Sequence, residues 1–251
     1  MLLENRRLAY FIPNTFTALN MACGFVAILF AFHGKFYEAC LFIVVGAIFD
    51  SVDGRIARWT NTQSSFGEQF DSLSDLVSFG VSPAIVYYFR FLTDTGRTGM
   101  VACFFFMLCG ALRLARFNAN INKNQSDYFQ GLPIPGGATA AISLVFLADE
   151  YPFLADHRPL TVVYLIFYAF LMISNIPFPS FKKSDWVKKN KKKVLMIIFV
   201  IFASIFINET HMIPAVITFY VASSLIYWMT HFKKFEGIFD WTEEPEAADQ
   251  K

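Results

Sequence analysis

Four aspartates, Asp50, Asp53, Asp71 and Asp75, recur at spacings that put chemistry on helix faces. Asp50 and Asp53 are three residues apart, and Asp71 and Asp75 four. On a helix, each pair shares one face, one turn apart. Two neighbouring helices carrying these pairs would aim two carboxylates each at a common point. Carboxylates gathered beside hydrocarbon need a counter-charge to stay ionised together. Hard oxygen ligands suit Mg²⁺, Mn²⁺ or Ca²⁺, and one or two such ions would make the place a seat for a pyrophosphate. The other reading of the same spacing is acidic helix ends facing water, with Arg55 and Arg58 as ion-pair partners.

Gly54 and Ala57 continue the face of the first pair with almost no side chain, so a ligand could approach the backbone closely. Arg58 follows. The segment "WTNTQSSF" (59–66) reads as a polar connection, and Ser65 followed by Glu68 fits a capping box opening the next helix.

The elements that must position these residues are apolar. The 251-residue chain is 55% hydrophobic and 18% aromatic, with 31 Phe and only 16% charged residues, against about 25% charged in a soluble domain. A spanning helix needs roughly 20 mostly apolar residues. Candidate spans lie at about 13–33, 36–57, 71–92, 98–117, 136–150, 159–178, 193–208 and 212–231. The expected fold is all-α, a polytopic membrane bundle of about eight transmembrane helices. The N-terminal run is too long for a signal-peptide core and is expected to be a retained first span. Of the 21 Lys and Arg residues, all but Lys35, Arg90, Arg97 and Arg158 fall at one set of loops and ends. The positive-inside rule then puts both termini, and residues 50–75, on the cytoplasmic side. Residues 1–235 are expected to form one membrane-embedded domain, with a core at about 10–180 and two further spans to 231. Residues 236–251 form a polar tail. The run "KKSDWVKKNKKK" (182–193) reads as an inside flank that attracts anionic headgroups.

Residues 50–75 read D-x2-D-G-x2-A-R-x8-G-x3-D-x3-D, with Asp50, Asp53, Gly54, Ala57, Arg58, Gly67, Asp71 and Asp75 at every fixed position. This resembles the CDP-alcohol phosphotransferase family without departure. The resemblance implies a membrane-embedded helical enzyme, usually a homodimer, that moves a phosphatidyl-type group from a CDP-linked lipid to an alcohol and releases CMP. It implies a divalent cofactor, Mg²⁺ or Mn²⁺, held by Asp50, Asp53 and Asp71. Asp75 is implied as the base, also lying at the second metal, and Gly54, Ala57 and Arg58 as the lining of the nucleotide site. "PNTFTALNMACGFVAI", "SFGVSPA", "ALRLARFN" and "FQGLPIPGG" together look like the membrane-bound, phosphatidylserine-forming branch in bacteria and archaea, over roughly residues 10–180. That branch implies CDP-diacylglycerol as donor and L-serine as acceptor, in the cytoplasmic membrane, with membrane lipids but no nucleic acid as partners. Sister acceptors, glycerol 3-phosphate or inositol, are the near rivals. A transporter is the rival of another class, although transporter sites usually lie near the bilayer midplane.

Arg113 and Arg116 are three residues apart on one helical face, with Asn118 just beyond. The pair would hold an acceptor carboxylate or a lipid phosphate by charge-assisted hydrogen bonds, or else meet lipid headgroups as flanking arginines. "GLPIPGG" either presents free N–H groups near Gly137 to an anion or is a Pro-Gly break between helices. Cys23, Cys40, Cys103 and Cys109 sit in apolar runs without metal-ligand spacing. The four His lie at loops or span ends, away from any nucleophile.

Overall fold

The computed structural model describes residues 2–60, 62–120, 128–179 and 190–231. Helix α1 (Leu2–Phe32) turns at Gly34, where φ is 72°, into α2 (Phe36–Trp59). Helix α3 then runs unbroken over Ser65–Thr95. It widens at Leu76–Val81 and again at Tyr88–Leu92, on either side of Pro83. Proline has no N–H to give to the helical ladder, and local widening is one way a spanning helix re-pairs its backbone. A tight turn at Gly96 (φ 61°) leads into α4 (Arg97–Ala119). After β1 (Tyr128–Gln130) come α5 (Ile134–Glu150), a single turn α6 (Phe153–Asp156) and α7 (Arg158–Ile173). Strand β2 (Pro177–Pro179), α8 (Lys191–Ile207) and α9 (Glu209–Thr230) complete the described chain.

Each expected span coincides with a helix, but several limits differ. Helix α3 begins at Ser65, not 71, because the amphipathic acid-bearing turns are continuous with the apolar part. Helix α7 stops at Ile173, not 178, because the chain turns extended toward Pro177 and Pro179. Those residues pair antiparallel with β1, Phe129 opposite Phe178, adding one short ribbon to a mostly helical structure. Among the described helices, Ile12–Phe32, α3, α4 and α9 are long and apolar enough to cross a membrane, and α7 is a shorter apolar helix. The tail at 236–251 and most of 182–193 lie outside the described residues.

The centre of the bundle is α5, where Ala138, Ala140, Ala141, Ile142, Val145, Phe146 and Ala148 are buried. Small residues let neighbouring backbones approach closely, the main route to helix association where no hydrophobic drive exists. Helix α3 grips α1 through serines one turn apart. Ser74, Ser78 and Ser82 donate to the carbonyls of Thr17, Asn20 and Gly24 at 2.9, 2.9 and 2.7 Å. Gly24 permits this approach, since a Cβ there would lie 2.7 Å from Ser78 Cα. Gly24→Val is therefore expected to cost about 1–3 kcal/mol through overpacking, read as a lower thermal midpoint of the protein in detergent. An unchanged midpoint would mean that the α1–α3 contact is looser than this.

The far end of the bundle is tied by surface pairs. Arg90 meets Asp149 at 2.8 Å, Arg158 meets Asp94 at 2.7 Å, and Tyr37 donates to Glu209. His33 and His157 bond carbonyls within their own helices, and His211 lies 3.4 Å from Glu150. None of these contacts involves the four aspartates.

Candidate active site

The near end gathers the acids. Asp50 and Asp53 project from the last turns of α2, and Asp71 and Asp75 from the first turns of α3. Ser64 caps α3, accepting from the Gly67 N–H at 3.0 Å. The cap is thus one residue earlier than the expected Ser65, which lies inside the first turn. The reason is local: Ser64 has the extended backbone (φ −145°, ψ 150°) that a cap requires. Carboxylate oxygens of Asp50, Asp53 and Asp71 all lie within 4.8 Å of one another. Asp75 is in side-chain hydrogen-bonding contact with Asp50. The spacing argument therefore holds in three dimensions, and the two helix faces converge.

Helix α1 supplies the second tier, which the spacing of acids did not reveal. Thr17 donates to Asp53 Oδ2 at 2.8 Å, and Asn20 Nδ2 donates to Asp75 Oδ1 at 3.4 Å. Asn20 is fully buried, and Gly46 of α2 leaves room for its amide. The signal was present in the sequence. Thr17 and Asn20 are polar, three residues apart, inside an otherwise apolar span, and polar residues within a membrane helix mark function more often than not.

Beside the acids is an open cleft of about 180 Å³. Gly54, Ala57, Arg58 and Gly67 line it with Asp53 and Asp71. Pro13, Asn14 and Thr17 of α1, Thr62, Gln63 and Ser64 of the connection, and Glu68 of α3 complete the walls. The α2–α3 connection is thus more than a spacer. Thr62 is buried, and its N–H donates to Ala57 O at 3.0 Å, folding the segment back over the cleft.

The donor set fits a divalent cation. It is all carboxylate, its atoms are mutually close, and Asp71 Oδ1 is buried without a hydrogen-bond partner among the described residues. A buried acceptor so left normally has a partner in the working molecule.

The arginines part company. Arg116 donates to Ile173 O at 2.9 Å, Gln130 O at 3.0 Å, Met172 O at 3.2 Å and Ser174 O at 3.3 Å. Its guanidinium ties β1 to the end of α7, so its hydrogen bonds go to the backbone. Gly131 (φ 74°) makes this possible, since a Cβ there would collide with Met172 O. Arg113 is buried, with Nε unpaired among the described residues. Asn118 donates to Ser72 Oγ at 2.9 Å, holding the end of α4 against α3. Gly137 does not offer a free N–H. It donates to Pro133 O at 3.0 Å, and a Cβ there would meet Met172 Sδ at 2.7 Å. "GLPIPGG" breaks the chain into α5 and packs against α7, and the Gly137 N–H itself is taken up within the first turn.

The CDP-alcohol phosphatidyltransferase pattern matches residues 10–178, which include all four aspartates, the glycines and Arg58. The chain belongs to this family. Among similar proteins of the family, one from Helicobacter pylori (strain ATCC 700392 / 26695) is 35% identical over 88% of this chain and 92% of its own length. One from Methanocaldococcus jannaschii is 38% identical over 70% of this chain and 77% of its own. One from Bacillus subtilis (strain 168) is 35% identical over 69% of this chain and 92% of its own. Each of the three bears the name CDP-diacylglycerol–serine O-phosphatidyltransferase. Family membership accounts for the apolar helices and for acids placed at their ends.

Proposed function

We propose that the protein transfers the phosphatidyl group of CDP-diacylglycerol to the hydroxyl of L-serine, giving phosphatidylserine and CMP. The convergence of Asp50, Asp53, Asp71 and Asp75 beside the cleft carries this reading. The relatives' printed names support serine over glycerol 3-phosphate or inositol as acceptor. Gly54, Ala57 and Arg58 would line the CMP portion of the donor, with the small side chains admitting it close to α2. Asp50, Asp53 and Asp71 would hold Mg²⁺ or Mn²⁺, with Asp75 at the edge of the same site. When bound, the cation supplies positive charge against the pyrophosphate.

Asp75 would accept the proton of the serine hydroxyl. The freed oxygen forms a bond to the phosphorus that bears diacylglycerol, and the bond from that phosphorus to the CMP oxygen breaks. Thr17 and Asn20 would hold Asp53 and Asp75 in place while this happens. Arg113, Arg116 and Asn118 would form the acceptor side. Arg116 fixes the β1–α7 backbone, Asn118 holds α4 to α3, and Arg113 faces the substrate. An acceptor screen with radiolabelled CDP-diacylglycerol tests the reading. Label should pass to a serine-containing lipid, and transfer to glycerol 3-phosphate or inositol alone would replace the acceptor.

The same proposal places about eight spans in the cytoplasmic membrane as a single domain over 1–235, with both termini and the active site at the cytoplasmic face. The protein would be a homodimer among membrane lipids. The bias of Lys and Arg supports the orientation. All four native cysteines are buried, so a cysteine introduced at exposed Thr60 can be read over a low background. Thr60→Cys is expected to react with a membrane-impermeant thiol reagent only from the cytoplasmic side. Labelling from outside intact cells would invert the topology.

A further inference from the structure

Arg113 is a buried charge that the described residues leave incompletely paired. It is 8% exposed, and its Nε has no hydrogen-bond partner among the described residues. A guanidinium stays charged in proteins and presents five donors in a planar fork. Burying such a group unpaired is unfavourable unless an anion completes it. Arg116, one turn away, is already held by carbonyls and has a different task.

Groups from α3 and α9 act on Arg113. Helices α3 and α4 run antiparallel through the turn at Gly96, and Asn118 touches Ser72. At about 1.5 Å rise per residue, stepping back from Asn118 to Arg113 and forward from Ser72 to Asp75 brings those two side chains to similar depth. Asp75 and Tyr220 are among the groups close enough to act electrostatically on the guanidinium. Tyr220 comes from α9, beyond the family-matched segment. Its ring packs on Phe178 of β2 at 5.6 Å, and Ser224 donates to its carbonyl at 2.8 Å. The β1–β2 ribbon that Arg116 fastens thus backs Tyr220 as well.

We infer that Arg113 and Tyr220 form a subsite for the carboxylate of the amino-acid acceptor, so that the last helix contributes to acceptor choice. The inference rests on the proposed transfer to serine and deepens it. Serine carries its hydroxyl and carboxylate on adjacent carbons, a short span that suits a carboxyl base and a cationic fork at similar depth. Arg113 would take the carboxylate with its fork, and the Tyr220 hydroxyl would donate to the same group. The carboxylate would accept the hydrogen bond that the Nε–H lacks. A phosphate of the lipid donor offers the same anionic chemistry, and the experiment separates the two sources.

The test uses the full-length protein in detergent with CDP-diacylglycerol and a divalent metal. CMP release is measured with L-serine and with serinol, in which a hydroxymethyl group replaces the carboxylate. Sites built to pair a polar group discriminate strongly against analogues that lack it. Arg113→Gln is expected to lower the serine-to-serinol ratio of kcat/KM by about 100-fold or more, mainly through the KM for serine. Tyr220→Phe, which keeps the ring, should lower the same ratio by roughly tenfold, the scale of one hydrogen bond to a charged group. If Arg113→Gln fails to fold, Arg113→Lys takes its place, since it keeps the charge without the fork, and the ratio should still fall. An unchanged ratio in the folded Arg113 variant overturns the inference. So does a rise in the donor KM as large as that for serine, which would assign the guanidinium to the donor phosphate. Wild-type protein that releases no CMP with serine would instead overturn the proposed function, a separate outcome.

Discussion

Asp75→Asn is expected to lose most serine-dependent turnover while CDP-diacylglycerol still binds. A serine hydroxyl is a weak nucleophile near neutral pH, and a positioned general base typically contributes about 10²–10⁴ in rate. Asp75 stands one helical turn beyond Asp71, on the same face, in contact with Asp50. It is also the aspartate that receives the Asn20 amide, at 3.4 Å. That bond engages Oδ1, and the carboxylate also meets Asp50. Asparagine keeps the shape and the Asn20 contact but cannot take up the proton. Donor affinity and CMP release should be measured side by side on the purified variant. If donor affinity collapses together with turnover, Asp75 is chiefly a metal ligand, and the base lies elsewhere.

A second large loss is expected at Asp71. Its oxygens belong to the trio lying within 4.8 Å, and Oδ1 is buried with no protein partner among the described residues. Loss of an outer partner of a metal ligand commonly lowers affinity or activity about 10–100-fold, so loss of a ligand itself should do no less. Asp71→Ala should release no measurable CMP at metal concentrations that saturate the wild type, and its Mn²⁺ binding, followed by electron paramagnetic resonance, should weaken. Near-normal turnover with unaltered metal dependence would remove Asp71 from the metal site. Unlike the Asp75 variant, this one should lose metal binding and chemistry together.

The acids and their convergence were legible in the sequence because helical spacing alone puts Asp50 with Asp53 and Asp71 with Asp75. The helices were legible too, as long apolar runs. Partnerships between helices were not. Ser74, Ser78 and Ser82 read as small residues in an apolar stretch, and only packing against Gly24 turns them into a ladder. Arg113 and Arg116 look alike in sequence, since both stand on one face. Their different roles depend on where β1 and the end of α7 deliver free carbonyls, and these are products of tertiary folding. The ribbon itself is too short to leave a strand pattern. Thr17 and Asn20 are masked in the sequence by the apolar run around them, and only the packing of α1 against α2 and α3 brings them to the aspartates.

Metal-dependent transfer of a phosphatidyl group to serine is checked by following both products at once. Purified protein in lipid vesicles is given CDP-diacylglycerol and labelled L-serine, and CMP and labelled lipid are followed in the same samples, with chelator and then with Mn²⁺ or Mg²⁺ restored. CMP and labelled phosphatidylserine are expected in equal amounts, both abolished by the chelator and both recovered on adding metal. CMP release without label entering lipid, or label entering lipid undiminished by the chelator, would contradict metal-dependent transfer to serine.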